Sequence, residues 1–178
     1  MARRPVSSPR WLALALALGL LGTALASCGH GGPRRIPADL IPLFRQAAAE
    51  YGPLTAAQLA AQARVESKFN TQAVSHSGAQ GIMQFLPSTW AQYGLDGNHD
   101  GKADPLDPAD AILAAANYDH HLADRVSSVP GDRVTLVLAA YNAGPSAVLR
   151  AHGVPHISET RTYIARVTSW ANRFDDQV

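Results

Sequence analysis

The segment QLAAQARVESKFN, residues Gln58–Asn70, decides the fold, because an alanine-rich run ends there in a single carboxylate, Glu66. Leu59, Gln62 and Ala63 lie seven, four and three positions before this carboxylate and share one helical face with it. The small apolar residues on that face predict that it packs inward, with the carboxylate at the edge of the core. Because burial disfavours the charged form of a carboxyl, we expect a raised pKa and a group able to act as a general acid.

A structural carboxylate that caps or pairs with a neighbouring segment is the alternative for Glu66. The chain contains two other glutamates for comparison. Glu50 lies between an alanine run and a glycine, whereas Glu159 lies in the first turn of a predicted helix, where the helix dipole alone favours a negative charge. The choice between the two interpretations of Glu66 therefore depends on the motifs that accompany it.

Helix signals recur along the chain, and no segment shows a convincing alternating pattern of a strand. Predicted helices cover residues 36–52, 55–66, a short segment from about 88, 107–126, a segment within 132–145 that stops at Gly144, and about 158–173. Thr55 and Asp107 are candidate N-caps, and Pro108 suits the first helical position. The dipeptide Gly144-Pro145 is a stop signal. The predicted class is mainly α, in a single domain.

The beginning of the chain has the pattern of an export signal. Arg3, Arg4 and Arg10 precede the uncharged run WLALALALGLLGTALA, residues 11–26. Its 16 residues are fewer than the roughly 20 that a membrane-spanning helix needs, so a secretory signal peptide is the better interpretation.

The apolar run ends in LASC, which contains the only cysteine of the chain, Cys28. This pattern resembles a bacterial lipobox, in which the cysteine is lipidated and becomes the first mature residue. An ordinary cleavage site beside a cysteine is the alternative. We predict a lipoprotein signal peptide over residues 1–27, a lipidated cysteine and tether over 28–35, and a helical domain over 36–178. Acyl chains on Cys28 would anchor an exported bacterial lipoprotein to the envelope membrane, facing the cell wall.

The charge balance argues against a nucleic-acid partner. Three of the 15 basic residues and none of the 14 acidic residues precede Cys28, so the remaining chain has a net charge of −2. A nucleic-acid-binding domain usually carries a basic stripe, which this composition does not provide. A single cysteine also excludes an internal disulfide.

Four blocks of sequence, VESKFN, AVSHSGAQGIMQFLPSTW, AYNAGP and ETRTYIARV, follow one another along the chain. In order and spacing they resemble the soluble lytic transglycosylase family of lysozyme-like enzymes. The resemblance implies a lysozyme-like helical domain, a monomer without an organic cofactor, whose partner is the peptidoglycan glycan strand. It implies cleavage of the β-1,4 bond between N-acetylmuramic acid and N-acetylglucosamine, with formation of 1,6-anhydromuramic ends.

The resemblance also implies a role for individual residues. Glu66 would be the catalytic acid and base, and Tyr163 would lie close to it. The substrate-binding residues would be Ser75, Gln84, Tyr141 and Asn142. Most glycosidases use two carboxylates, whereas these blocks supply one, which fits a reaction in which the muramic 6-hydroxyl is the nucleophile. Goose-type lysozymes share much of this pattern, so hydrolysis of the same bond stays open, as does a non-catalytic calcium-loop module that binds carbohydrate.

The segment DGNHDGKADPLD, residues 96–107, fits the template of a calcium-binding loop. The six ligand positions fall on Asp96, Asn98, Asp100, Lys102 through its carbonyl, Asp104 and Asp107, with Gly101 at the turn. Asp107 departs from the template, which has a bidentate glutamate, so we expect weak affinity. The loop is similar to those of B-type membrane-bound transglycosylases. We predict a structural Ca²⁺; an acidic solvated loop with Asp107 as a helix cap is the alternative.

Overall fold

Helices account for the regular structure of residues 34–178, the part of the chain that the computed structural model describes. They are α1 (Ile41–Tyr51), α2 (Ala56–Glu66), α3 (Pro87–Tyr93), α4 (Pro108–Arg125), α5 (Arg133–Ala143), α6 (Pro145–Ala151) and α7 (Ser158–Phe174), followed by a 3-10 turn at Asp175–Gln177. Strand-like pairing within these residues is limited to two isolated bridges, between Val74 and Gln80 and between Gln80 and Phe85. The predicted mainly α class is confirmed.

Helix α2 lies at the centre of the domain, where it packs mainly against α7 and also against α1. Seven of its 11 residues are buried, four of them alanines. Because alanine side chains are small, neighbouring helices approach α2 closely on more than one face. Thr55 begins the helix with a capping box, in which Gln58 N donates to Thr55 Oγ1 (3.2 Å) and Thr55 N donates to Gln58 Oε1 (2.9 Å). The predicted cap is confirmed.

The other helix boundaries agree with the sequence signals except at two places. Asp107 caps α4 and Pro108 is its first residue, as predicted. Helix α1 begins only at Ile41, after a turn. Gly144 ends α5 as predicted, but Pro145 then begins α6 rather than a loop. The reason is that proline, which lacks an N–H, suits the first position of a helix as well as a stop.

The chain reverses sharply just beyond α2. Lys68 and Phe69 have positive φ angles of 59° and 66°, which non-glycine residues seldom adopt. The turn places the Phe69 ring in the core, 6.4 Å from the ring of Phe44 and 6.0 Å from that of Phe174. Burial of this ring between α1 and α7 stabilises the turn and fixes the position of the end of α2.

A compact loop, residues 73–85, covers the end of α2. Ser67 Oγ donates to the carbonyl of Ile82 at 2.8 Å, and Tyr141 Oη donates to the carbonyl of Met83 at 2.9 Å. Gly81, with φ of 76°, packs directly against the backbone of Pro105. The loop is therefore held by α2, by α5 and by the segment before α4.

The predicted signal peptide and Cys28 lie outside the described residues. Within residues 34–178, none of the helices combines the length and hydrophobicity that a membrane span requires.

We predict that Gly81→Ala destabilises the protein more than Gly78→Ala. Both glycines have φ near 80°, so an alanine costs each about 1–2 kcal/mol of backbone strain. A Cβ at Gly78 meets no atom within 4 Å, whereas a Cβ at Gly81 overlaps the carbonyl of Pro105 and should cost about 2 kcal/mol more. Urea unfolding measures both losses, and equal losses would show that the Gly81 contact with Pro105 is unimportant.

Candidate active site

Glu66 is the last residue of α2, and its carboxyl points into a largely dry environment. The residue as a whole is partly exposed, but Oε1 has less than 1 Å² of exposed surface and no hydrogen-bond partner within residues 34–178. Burial raises the pKa of Glu66 to about 7. The predicted upward shift is confirmed, and near neutral pH the carboxyl can both hold and release a proton.

Helix α7 supplies the groups that face Glu66. Tyr163 is buried, and the proximity of its hydroxyl lowers the pKa of Glu66. The distance or angle between the two groups does not meet the criteria of a hydrogen bond, so Tyr163 Oη has no partner within the described residues. The positive charge of Arg166 lowers that pKa further, whereas Glu159 raises it. Burial, followed by the nearby Glu66, raises the pKa of Tyr163 well above its usual range. Tyr163 is therefore a neutral O–H donor beside the carboxyl.

Tyr141 and Asn142, at the end of α5, make contacts that tie the site together. The Tyr141 hydroxyl donates a hydrogen bond to the Met83 carbonyl. Burial, and to a lesser extent the nearby Glu66, raises the pKa of Tyr141 well above its usual range. Asn142 Oδ1 accepts from Thr160 Oγ1 at 2.7 Å, which leaves the Asn142 amide N–H groups outside that bond. Tyr141 thus ties α5 to the loop, and Asn142 ties α5 to α7.

Ser75 and Gln84 shape the loop of residues 73–85. Ser75 Oγ accepts from Ala79 N at 2.9 Å. The Gln84 side-chain nitrogen donates to the carbonyls of Ala73 (3.3 Å) and Gly81 (2.9 Å). The two residues predicted to bind substrate therefore also hold the backbone turns of the loop.

The sequence analysis assigned no role to two buried polar residues next to Glu66. Gln62 lies one turn before it on α2, and Asp119 lies on α4; neither has exposed surface. Burial raises the pKa of Asp119 well above its usual range, the Gln62 amide lowers it and Glu66 raises it. Position alone could have revealed Asp119, since it shares a face of α4 with Ala115 and Leu122.

The first half of the loop formed by residues 96–107 has the turn that the calcium template requires. Asp96 accepts hydrogen bonds from the backbone N–H groups of Asp100 (3.1 Å) and Gly101 (2.9 Å). Gly101 has a φ of 93°, as a turn glycine does. Asp110, which the template does not include, is buried and accepts from Gly97 N and Asp104 N, both at 2.8 Å.

The second half of this loop is arranged differently from the template. Asp104 pairs with the ammonium group of Lys102 at 2.7 Å. Asp107 Oδ1 accepts from Ala109 N and Asp110 N as the cap of α4. Across residues 34–178, no three His, Cys, Asp or Glu side chains converge as they would around a bound metal. The residues thus fit Ca²⁺ in the first half of the loop only, and the predicted site stays a prediction.

A cavity of about 670 Å³ lies along the exposed face of α7. Arg161, Arg166, Trp170 and Arg173 are among the residues that line it, and none of the predicted site residues does. The guanidinium groups of Arg64 and Arg173 lie 4.6 and 4.9 Å from the Trp170 ring. Of the residues that line this basic face, Arg166 is the one that acts on the Glu66 carboxyl, because its charge lowers the pKa of Glu66.

Comparison with known proteins places this geometry in context. Residues 42–164 match the sequence profile described as the transglycosylase SLT domain. The chain is 39% identical over 109 residues to membrane-bound lytic murein transglycosylase F of Maricaulis maris, covering 58% of this chain and 22% of that protein. It is 36% identical over 97 residues to membrane-bound lytic murein transglycosylase B of Escherichia coli, covering 53% and 23%. The chain thus spans less than a quarter of these relatives.

The fold matches that of the 70-kDa soluble lytic transglycosylase of Escherichia coli. The two superpose with a TM-score of 0.62 at 24% identity, over 79% of this chain and 25% of that protein. The helical domain is therefore lysozyme-like, as predicted.

We predict that Glu66→Gln stabilises the protein more at pH 8 than at pH 5. The unfolded carboxyl loses its proton near its ordinary pKa of 4.5, and the folded one near 7. Between these values the native state holds more protons, so the free energy of unfolding of the wild type falls as pH rises. The neutral glutamine avoids this decrease in the free energy of unfolding, which is about 3 kcal/mol at most.

Thermal unfolding of both proteins across this pH range measures the difference. The same series with Glu50→Gln serves as the control, because Glu50 is exposed. A stability difference between wild type and Glu66→Gln that does not change with pH would contradict the raised pKa.

Proposed function

Because the chain belongs to the transglycosylase SLT domain family, we propose that it is a peptidoglycan lytic transglycosylase with Glu66 as its catalytic acid and base. The observation that carries the proposal is the buried Glu66 carboxyl, with a pKa of about 7, beside the neutral hydroxyl of Tyr163. Murein transglycosylase is also the activity in the names of the relatives that the chain resembles.

In the first step, Glu66 donates its proton to the glycosidic oxygen between N-acetylmuramic acid and N-acetylglucosamine. The bond from C1 of the muramic sugar to that oxygen breaks, and the N-acetylglucosamine side leaves with the proton. A carboxyl whose pKa lies near the working pH is suited to this transfer, because a large fraction holds a proton and still releases it readily.

In the second step, the 6-hydroxyl oxygen of the same muramic sugar bonds to its C1. The hydroxyl proton passes to the Glu66 carboxylate, which restores the acid and leaves a 1,6-anhydro end. We propose that Tyr163, a neutral O–H donor, and the amide of Asn142 hold the reacting groups and stabilise the charge that develops in the transition state. No second protein carboxylate takes part.

The environment of the neighbouring acids supports a reaction with one carboxylate. Asp119 has no exposed surface, so it cannot contact a sugar or activate a water on the far side of the ring. Glu159 lies in the first turn of α7, where the helix dipole stabilises its negative charge. Glu66 is thus the acid suited to meet the substrate.

We also propose that Ser75, Gln84, Tyr141 and Asn142 line the glycan site, and that the protein acts at the cell envelope. These four residues lie in the loop of residues 73–85 or at the end of α5, near Glu66. The relatives are named membrane-bound enzymes, which supports an envelope location. Anchoring through Cys28 stays a prediction from the sequence.

A further proposal is that residues 96–107 bind Ca²⁺ as a structural ion. Asp96, Asn98 and Asp100 present side-chain oxygens around the Gly101 turn, and carboxylates and amides are the ligands that Ca²⁺ prefers. Asp104 would exchange its contact with Lys102 for the ion. The ion would neutralise the acidic loop beside α4.

We predict that Glu66→Gln removes glycan cleavage while leaving the fold intact, because the amide can neither donate nor accept the transferred proton. The measurement is mass spectrometry of purified peptidoglycan digested with the wild type and the variant, beside Glu50→Gln as an active control. Wild-type products carrying 1,6-anhydromuramic ends are lighter by one water than hydrolysed fragments. Reducing ends would instead indicate a hydrolase on this fold.

Two outcomes contradict this proposal. Substantial turnover by Glu66→Gln would remove the assigned role of Glu66. An absence of products from the wild type as well would favour a non-catalytic carbohydrate-binding module.

We predict that millimolar Ca²⁺ raises the melting temperature of the wild type. Asp100→Asn should lose the effect, because it removes a charged ligand from the loop. Asp124→Asn, on the exposed side of α4, keeps it. Thermal unfolding with Ca²⁺ and with a chelator measures the shift, and an unchanged wild-type melting temperature would count against the site.

A further inference from the structure

The exposed face of α7 carries a concentration of positive charge. Between residues 160 and 174 the helix contains three arginines and no acidic residue. Arg161, Arg166 and Arg173 all line the cavity of about 670 Å³ along this helix, which we call the basic cavity. Within the described part of the chain, no Asp or Glu side chain lies within 4 Å of these three guanidinium groups. Since the chain after Cys28 has a net charge of −2, this excess of cations is local.

Two of the three arginines are held in position by neighbouring side chains. The guanidinium carbon of Arg173 lies 4.9 Å from the centre of the Trp170 ring. Arg161 donates through Nη2 to His156 Nδ1 at 2.6 Å. A guanidinium that stacks on a ring keeps the N–H groups along its edge for other partners, an arrangement suited to planar anions such as carboxylates. The basic cavity therefore presents oriented donors.

The rest of the lining suits a ligand larger than a simple ion. Ser158, Thr162 and Ser169 add hydroxyl groups, and Trp170 adds an apolar surface. The volume of about 670 Å³ falls within the roughly 300–1,000 Å³ of pockets that hold organic ligands. These features fit an extended anion that carries further hydrogen-bonding groups, such as a short peptide with free carboxylates.

The basic cavity adjoins the proposed catalytic carboxyl. The Trp170 ring lies 4.6 Å from the guanidinium carbon of Arg64, which is two residues before Glu66 on α2. Arg166 lines the cavity and also acts on the Glu66 carboxyl. A group attached to a sugar that binds at Glu66 can therefore extend along α7.

We propose that the basic cavity binds the carboxylates of the peptide that peptidoglycan carries on its muramic sugar. The sugar rings have no charge that would need three arginines, whereas the peptide on the muramic lactyl group has free carboxylates. Arg166 and Arg173 are seven residues apart, about 10 Å along the helix, which about three extended peptide residues span. The arginines of the cavity are thus specificity residues for strands that carry peptides. The inference rests on the proposed function, which supplies the substrate.

The test uses a probe that the enzyme cannot cleave. A single N-acetylmuramic acid with its peptide has no glycosidic bond, so its binding is measured apart from activity. Three ligands are compared: this muramyl peptide, the same compound with its carboxyl groups converted to amides, and inorganic phosphate. NMR titration of ¹⁵N-labelled protein gives each dissociation constant, with the Trp170 indole N–H as a reporter inside the cavity.

The wild type should bind the muramyl peptide at least about fivefold more tightly than its amidated form, as the loss of exposed ion pairs predicts. Arg161→Gln and Arg173→Gln should each weaken binding of the carboxylate form about fivefold, without changing the affinity for the amidated form. Arg150→Gln removes an exposed arginine from α6, outside the cavity, and is the matched control that keeps wild-type binding.

Three results overturn the proposal. Equal affinity for the two forms of the muramyl peptide would show that the cavity does not recognise carboxylates. Tighter binding of phosphate than of the muramyl peptide would assign the cavity to phosphate-bearing polymers. Absence of binding by all three ligands would leave the cavity without a ligand role.

A failure of the proposed function is distinguishable from a failure of this inference. It would appear as glycan cleavage by Glu66→Gln or as an absence of products from the wild type. Neither result changes the affinity for a probe that contains no scissile bond.

Discussion

The close burial of α2 is the constraint on which the rest of the structure depends. A helix can be covered on most sides only when its side chains are small, and the alanines of α2 meet that requirement. Because α1 and α7 pack directly on this helix, its last residue lies beside α7 rather than in solvent. The position of Glu66 and its raised pKa both follow from that packing. The sharp turn at Lys68 and Phe69 then fixes the helix end by burying an aromatic ring.

Local signals in the sequence predicted the helices well because capping is a short-range interaction. Thr55 with Gln58, and Asp107 with Pro108, contain in a few adjacent residues all that a helix start requires. The same applies to Glu66, whose apolar helical face could be read directly. Helix α6 was missed because Pro145 serves equally well as a stop and as a start.

The proximity of Asp119 to Glu66 could not be predicted from the sequence, because it depends on the packing of distant segments. In the sequence, Asp119 precedes the exposed His120 and His121 and looks like part of a solvated face. Its helical spacing from Ala115 and Leu122 indicates the opposite, and the packing of α4 confirms that it is buried. In the acidic loop, by contrast, the sequence pattern was visible but the contacts differ from it. The spacing matches the calcium template, whereas Asp107 caps a helix and Asp104 pairs with Lys102. A spacing pattern identifies candidate ligands without determining where each carboxylate points.

The way in which the loop of residues 73–85 is held has a consequence for the proposed glycan site. Ser67, Tyr141 and the close contact of Gly81 with Pro105 attach it at three places before any sugar arrives. In the proposed glycan site, a loop that is already held in place loses little conformational entropy when a ligand docks. In the proposed reaction, more of the intrinsic binding energy would then be available to distort the sugar ring at the scissile bond toward its transition-state shape.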